Sequence, residues 1–202
     1  MGRRRQDHWA KRAKTEHYRA RSAYKLMQID DKYKLLRPQM RVLDLGCAPG
    51  SWLQVAAQRV GPQGLVIGLD LNPVEPVAIN VVTITADALG DLKEIESIER
   101  LPERFDIVLS DMAPNTSGIK DADHYRSMEL AQVALDQAWR RGAVGSSLVI
   151  KIFQGPDIQQ FIKQVKSRYK RVSALRPETT RKVSREIFII GRERRSETIA
   201  VG

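Results

Sequence analysis

Cysteine is all but missing from this chain. One thiol, Cys47, stands in 202 residues, so no internal disulfide can form. Histidine is scarce too. His8, His17 and His124 are scattered and show no metal-ligand spacing, so no metal is expected. No apolar run approaches the ~20 residues that span a bilayer, which excludes a membrane helix. The start, Met1-Gly2-Arg3-Arg4-Arg5, has no apolar stretch behind its arginines and shows no secretory signal. Two nucleotide signatures are also absent: GxGxxG, and the Gly-Lys-Ser/Thr that holds a triphosphate. The expectation is a soluble, cytoplasmic protein.

What is present suffices for one domain with a full core, since 42% of residues are hydrophobic. The net charge of +10 is unevenly placed. Residues 1–41 carry 13 Lys/Arg against 4 Asp/Glu, and residues 163–195 carry 12 against 3. The middle, 42–162, is acidic by 7. A basic block at each end of an acidic centre suggests a ligand-binding or catalytic core flanked by arms for a polyanion, with nucleic acid favoured. The bland alternative is a solvated basic surface. No repeat, low-complexity tract or interdomain linker is visible beyond the basic N-terminus.

Residues 1–20 read as a mobile basic arm. Ser22 to Leu36 has helical spacing, with Ser22 as its N-cap and Pro38 as its stop. Strands are expected at 41–45, 65–69, 81–85, 105–110, 147–153, 172–175 and 185–191. Helices are expected at 51–60, 92–100, 124–141 and 157–169. Alternation of this kind predicts an open, largely parallel α/β sheet with right-handed crossovers. Such sheets bind ligands at the carboxyl ends of their strands, where strand order reverses.

Three strand ends carry candidate chemistry. The first leads into Gly46-Cys47-Ala48-Pro49-Gly50-Ser51-Trp52, a glycine turn ahead of a helix. Gly46 and Gly50 would let a ligand approach the backbone closely. The second ends at Asp70, placed to bind ribose hydroxyls. The third ends near Asp87, which can accept from an exocyclic amine of adenine. Each acid alone reads as well as a helix cap. Together they describe an adenosine bound without a phosphate cradle, and S-adenosylmethionine fits this better than NAD or ATP. Cys47 has no base beside it in sequence and reads as a packing residue.

One residue contradicts its surroundings. Lys151 sits within Leu148-Val149-Ile150-Lys151-Ile152-Phe153, an otherwise apolar strand, and a buried ammonium needs a partner. It lies either at a sheet edge or in a site. Asp111, at the end of the preceding strand in Ser110-Asp111-Met112-Ala113-Pro114-Asn115, is the candidate partner.

Five stretches then resemble one family: Arg21-Ser-Ala-Tyr-Lys-Leu26, Asp44-Leu-Gly-Cys-Ala-Pro-Gly-Ser-Trp52, Ser110-Asp-Met-Ala-Pro-Asn115, Val149-Ile-Lys-Ile-Phe-Gln-Gly155 and Ser184-Arg-Glu-Ile-Phe188. The chain closely resembles the FtsJ-like ribosomal RNA 2′-O-methyltransferases. The resemblance implies a Rossmann-like class I methyltransferase fold: a seven-stranded, mostly parallel sheet with an antiparallel last strand and helices on both faces. It implies one domain over 21–192, a C-terminal tail over 193–202, and a monomer. It implies a catalytic Lys-Asp-Lys-Glu tetrad at Lys25, Asp111, Lys151 and Glu186. Cofactor contacts carry over to Gly50, Trp52, Asp70, Asp87 and Asp111, beside the turn glycine Gly46. The cofactor implied is S-adenosyl-L-methionine, and the substrate a uridine ribose in 23S ribosomal RNA of the large subunit. The family more often reads Ala-Ala-Pro-Gly-Gly-Trp in the loop, so Cys47 and Ser51 depart from it.

Lys151 is expected to act on the 2′-hydroxyl, either as a neutral base or as a cation orienting the oxygen. Alternatives from other classes are a transfer RNA or cap 2′-O-methyltransferase, and a non-catalytic ribosome-assembly protein on the same fold. A dehydrogenase is disfavoured by the missing GxGxxG.

Overall fold

The computed structural model describes residues 2–90, 102–181 and 184–197. In chain order the elements are α1 (Gly2–Thr15), α2 (Ala23–Tyr33), β1 (Arg41–Leu45), α3 (Ser51–Val60), β2 (Leu65–Asp70), β3 (Val81–Thr85) and β4 (Phe105–Ser110). Then follow α4 (Lys120–Arg141), β5 (Gly142–Phe153), α5 (Ile158–Arg168), β6 (Tyr169–Leu175) and β7 (Glu186–Arg194). The helix expected over Leu92 to Arg100 lies outside the described residues. No described helix is long and apolar enough to cross a membrane.

The strands form one sheet in the order β3-β2-β1-β4-β5-β7-β6. β1 to β5 pair in parallel, and β7 runs antiparallel between β5 and β6. Strand order therefore reverses between β1 and β4, which puts the ligand crevice at their carboxyl ends. The two-residue period of a strand sorts the core into two faces. Val42, Val66, Ile107, Leu109, Val149, Phe188 and Ile190 face α2 and α3. Leu43, Ile67, Val108, Leu148, Ile150 and Ile189 face α4 and α5. This is the sandwiched arrangement expected of the Rossmann-like fold.

Element ends differ from the sequence reading where apolar pattern stops but pairing continues. β5 begins at Gly142 and not at Ser147. A register shift opposite Phe105 and Ile107 accommodates Gly145 at φ 83° and the exposed Val144. β6 begins three residues early because Tyr169 and Arg171 pair with Arg194 and Arg192 on an edge strand whose outer positions are charged. α4 begins at Lys120, with Asp121 and Asp123 in its first turn, where a helix N-terminus favours negative charge. Ser22 does not cap α2 through its side chain. Its backbone is already helical, and its hydroxyl pairs with Ser51 Oγ at 2.7 Å.

The segment expected as a mobile arm holds α1. It docks through Trp9, whose ring centroid lies 5.0 Å from that of Tyr24, with the Arg12 guanidinium over both rings. Tyr24 donates to Glu16 Oε2 at 2.9 Å. Burial, with Glu16 adding to it, pushes the phenol up to about 12.

Candidate active site

Lys151 has found its partner. Its Nζ lies 2.8 Å from Asp111 Oδ1 and also donates to the Asp111 backbone carbonyl. Asp111 is the residue after β4, and Lys151 is two residues before the end of β5, the neighbouring parallel strand. The Lys151 side chain is 6% exposed, so the pair replaces the water its amine has lost. Among the described residues no other partner reaches Nζ. Its hydrogen bond runs to the Asp111 carbonyl and the carboxylate contact is an ion pair without hydrogen-bond alignment, so Nζ keeps bonding capacity for a ligand.

A second buried pair lies beside the first. Lys25 Nζ, from the first turn of α2, is 2.6 Å from Glu186 Oε1, at the start of β7. The register explains the proximity. Lys151 stands opposite Phe188, and Glu186, two residues earlier, shares the same sheet face. Lys25 Nζ lies 5.8 Å from the centre of the Phe188 ring, so this ring joins the two pairs. The structure thus brings Lys25, Asp111, Lys151 and Glu186 together from four separate elements.

Next to the Lys151–Asp111 pair a cleft of about 890 Å³ opens at the carboxyl ends of β1, β2 and β4. Gly46, Asp70, Asp87 and Asp111 all line it, with Leu71, Met112 and Asn115. Gly46 sits at φ +74°, and a side chain there would strike Met112, so the turn needs glycine. Asp70 is held by the chain itself. It accepts from Ala48 N and Asn72 N, both at 2.9 Å, and so braces the β1 loop against the β2 loop. Asp87 Oδ1 accepts from Leu89 N at 2.9 Å.

Gly50 and Trp52 are not among the residues lining this cleft. Gly50 (φ 103°) is covered by Arg19, whose guanidinium donates to the carbonyls of Pro49, Glu75 and Pro76. Trp52 is buried against Phe188, ring centres 5.7 Å apart, and its Nε1 donates to Ser22 O. Trp52 therefore seats α2, and with it Lys25, against the sheet. The substitution at Ser51 carries no backbone strain. It is the first residue of α3, and its hydroxyl gains the Ser22 partner that glycine would lack. Cys47 is buried near Asp44 and Asp70. Burial first, then those carboxylates, push its thiol up, as suits a packing residue.

One residue escaped the sequence reading. Asp44, on β1, is wholly inaccessible, and neither carboxylate oxygen has a hydrogen-bond partner. Burial, then Asp111 and Asp70, hold its carboxyl well above the usual range. Asp44 breaks an apolar run, Val42-Leu43-Asp44-Leu45, just as Lys151 does in β5, so the same signal marked both. Asp70, Asp87 and Asp111 line the cleft, with Asp44 buried behind them, and such an acidic lining suits a ligand that carries positive charge. An adenosyl sulfonium with an amino-acid tail is such a ligand. The donor set therefore fits S-adenosylmethionine.

A model of the FtsJ-like methyltransferase family matches residues 18–194. The chain is 43% identical to a ribosomal RNA large subunit methyltransferase E of Methanothrix thermoacetophila, over all of this chain and 78% of that one. It is 46% identical to the protein of that name in Syntrophobacter fumaroxidans, over 92% and 94%. A crystal structure from Plasmodium falciparum, of a protein assigned as a ribosomal RNA methyltransferase, superposes with a TM-score of 0.77. Its identity is 28%, over 89% of this chain and all of the other. The chain belongs to the FtsJ-like methyltransferase family.

Proposed function

We propose that this protein methylates a ribose 2′-hydroxyl of a uridine in large-subunit (23S) ribosomal RNA, with S-adenosylmethionine as donor. The observation that carries this reading is the pairing of Lys151 with Asp111 at the mouth of the cleft, next to Lys25–Glu186. The RNA substrate is supported by the relatives' names and by the two basic blocks. Only RNA offers a 2′-hydroxyl.

When bound, the cofactor supplies an electrophilic methyl group on a sulfonium sulfur. Asp70 and Asp87 would hold its adenosine hydroxyls and amine, and Asp111 would face its positive end, with Asp44 buried behind. Asp111 holds Lys151 Nζ through a hydrogen bond to its backbone carbonyl and the charge of its carboxylate, beside the place the ribose oxygen would take. Lys151 acts on the hydroxyl either as a neutral amine whose lone pair takes the proton as the oxygen is methylated, or as a cation that orients the oxygen. Assistance as a base contributes about 10²–10⁴-fold. Lys25 and Glu186 position the ribose, and alignment of the reacting atoms contributes as much again or more. The basic segments Arg3–Arg21 and Lys163–Arg195 hold phosphates on either side.

The test is methyl transfer from labelled S-adenosylmethionine to large ribosomal subunits lacking 2′-O-methylation, with wild type and Lys151→Ala in parallel. Label at one ribose from the wild type alone supports the proposal. Equal labelling by both variants overturns the role of Lys151. No labelling by either, with the cofactor still bound, moves the substrate to another RNA.

A further inference from the structure

Three of the four clustered side chains sit on loops or strand ends that touch one short stretch of α4. Asp111 is followed by the loop 112–119. Asp123 Oδ1 accepts from Ser117 N at 2.7 Å and from Ser117 Oγ at 2.9 Å, and its Oδ2 accepts from Gly118 N at 3.2 Å. Lys151 lies two residues before Phe153. The Phe153 carbonyl is 2.9 Å from His124 Nδ1, and the Phe153 amide donates to Ser127 Oγ at 3.1 Å. Gly155 packs directly on the His124 ring, where a Cβ would collide with the imidazole. Glu186 follows Arg185, whose guanidinium donates to the carbonyls of Lys120 and Gln154. Residues 120–127 therefore bind the segments that carry Asp111, Lys151 and Glu186.

The chemistry at His124 is defined. A carbonyl oxygen only accepts, so Nδ1 carries the proton. The ring is wholly inaccessible, and Nε2 has no hydrogen bond, with Asp157 Oδ2 3.8 Å away. A buried imidazole with one nitrogen unsatisfied is costly in the core. Its hold on Phe153 and its packing against Gly155 are what that cost sustains.

We propose that Asp123 and His124 are positioning residues for the transfer reaction: they bracket the loops after β4 and β5 and so fix the separation of Asp111 and Lys151. This rests on the function proposed above. Neither residue touches the reacting atoms. A displacement of about 1 Å at such a site can cost roughly 100-fold in rate.

The experiment measures methyl transfer to large ribosomal subunits by Asp123→Ala, His124→Ala and His124→Asn. The alanine variants are expected to lose about 10- to 100-fold in kcat, with cofactor affinity within about twofold of wild type. Asparagine can supply a donor in place of Nδ1–H, so His124→Asn recovers most of kcat, which a purely space-filling role does not require. Wild-type kcat in folded alanine variants, or no recovery by asparagine, overturns the proposal. Nitrogen NMR of the wild-type imidazole gives a second readout that needs neither substrate nor variant. A proton on Nδ1 supports the bracket, and an Nε2–H tautomer with a bare Nδ1 overturns it. Wild type that binds cofactor but labels no subunit defeats the reaction reading instead, and the tautomer then decides the bracket alone.

Discussion

Lys25 and Glu186 meet at 2.6 Å with their side chains 8% and 11% exposed, although one opens α2 and the other opens β7. The pair ties an N-terminal helix to the last strand of the sheet, next to Phe188 and the Lys151–Asp111 pair. The pair is structural, the function proposed above gives it a second role, and the two contributions are separable.

Removing one partner of a buried pair leaves the other charge uncompensated, at about 3–5 kcal/mol. Glu186→Ala is expected to lose that much stability in urea denaturation. A double variant, Lys25→Met with Glu186→Leu, is expected to recover most of it and remain inactive in methyl transfer. If the double variant is active, the pair serves stability alone.

Lys151→Arg separates a base from a cation. Arginine keeps the positive charge opposite Asp111 but cannot give up its proton in a protein. Its activity is expected to fall about 10²–10⁴-fold, as that of Lys151→Ala does. Single-turnover transfer with bound cofactor reads this directly. Arginine at near wild-type rate would assign Lys151 an orienting role.

Strand cores were legible in the sequence because β-branched runs end at recognisable turns. Val81–Thr85 and Phe105–Ser110 agree to the residue. The Lys151–Asp111 pair was legible because a lysine in an apolar strand requires an anion, and the loop after β4 supplied one in Asp111; Lys25 and Glu186 came only with the family resemblance. Asp44 carried the same signal and was passed over, since it lay inside a motif already explained by its glycines. The bracket at Asp123 and His124 was not legible. It depends on where two loops meet a helix, and adjacent polar residues at a helix start read as ordinary capping. The hold of Arg19 on the carbonyls of Pro49, Glu75 and Pro76 was hidden for the same reason: it is set by tertiary contact alone.

The basic segments should act through phosphates, not through chemistry. Lys14 on α1 and Lys170 on β6 are exposed. Lys14→Gln and Lys170→Gln are each expected to reduce the slope of log affinity against log salt by about 0.7 on single-stranded RNA. Their kcat at saturating RNA should not change. Binding titrations at several salt concentrations check this, and an unchanged slope in both variants would place the RNA elsewhere.

Asp44 links cofactor, stability and pH. Its folded carboxyl is held well above the ordinary carboxylate range by burial, then by Asp111 and Asp70. The folded state therefore binds a proton that the unfolded state releases above about pH 4. The sign follows. The stabilisation at this site is complete below the unfolded value and is lost as pH rises through the folded one. Asp44→Asn cannot ionise and has no such loss. The difference in Tm, variant minus wild type, is thus expected to grow in the variant's favour as pH rises from about 4 to 8 without cofactor. A cationic ligand reverses the preference, because it favours the ionised acid. Cofactor affinity of the wild type is expected to rise over the same range, and that of Asp44→Asn to be weaker and flatter with pH. Thermal melts and calorimetric titration at matched pH values measure both arms. A Tm difference that stays constant with pH, together with unchanged cofactor affinity, would mean that Asp44 faces neither its neighbouring acids nor the ligand.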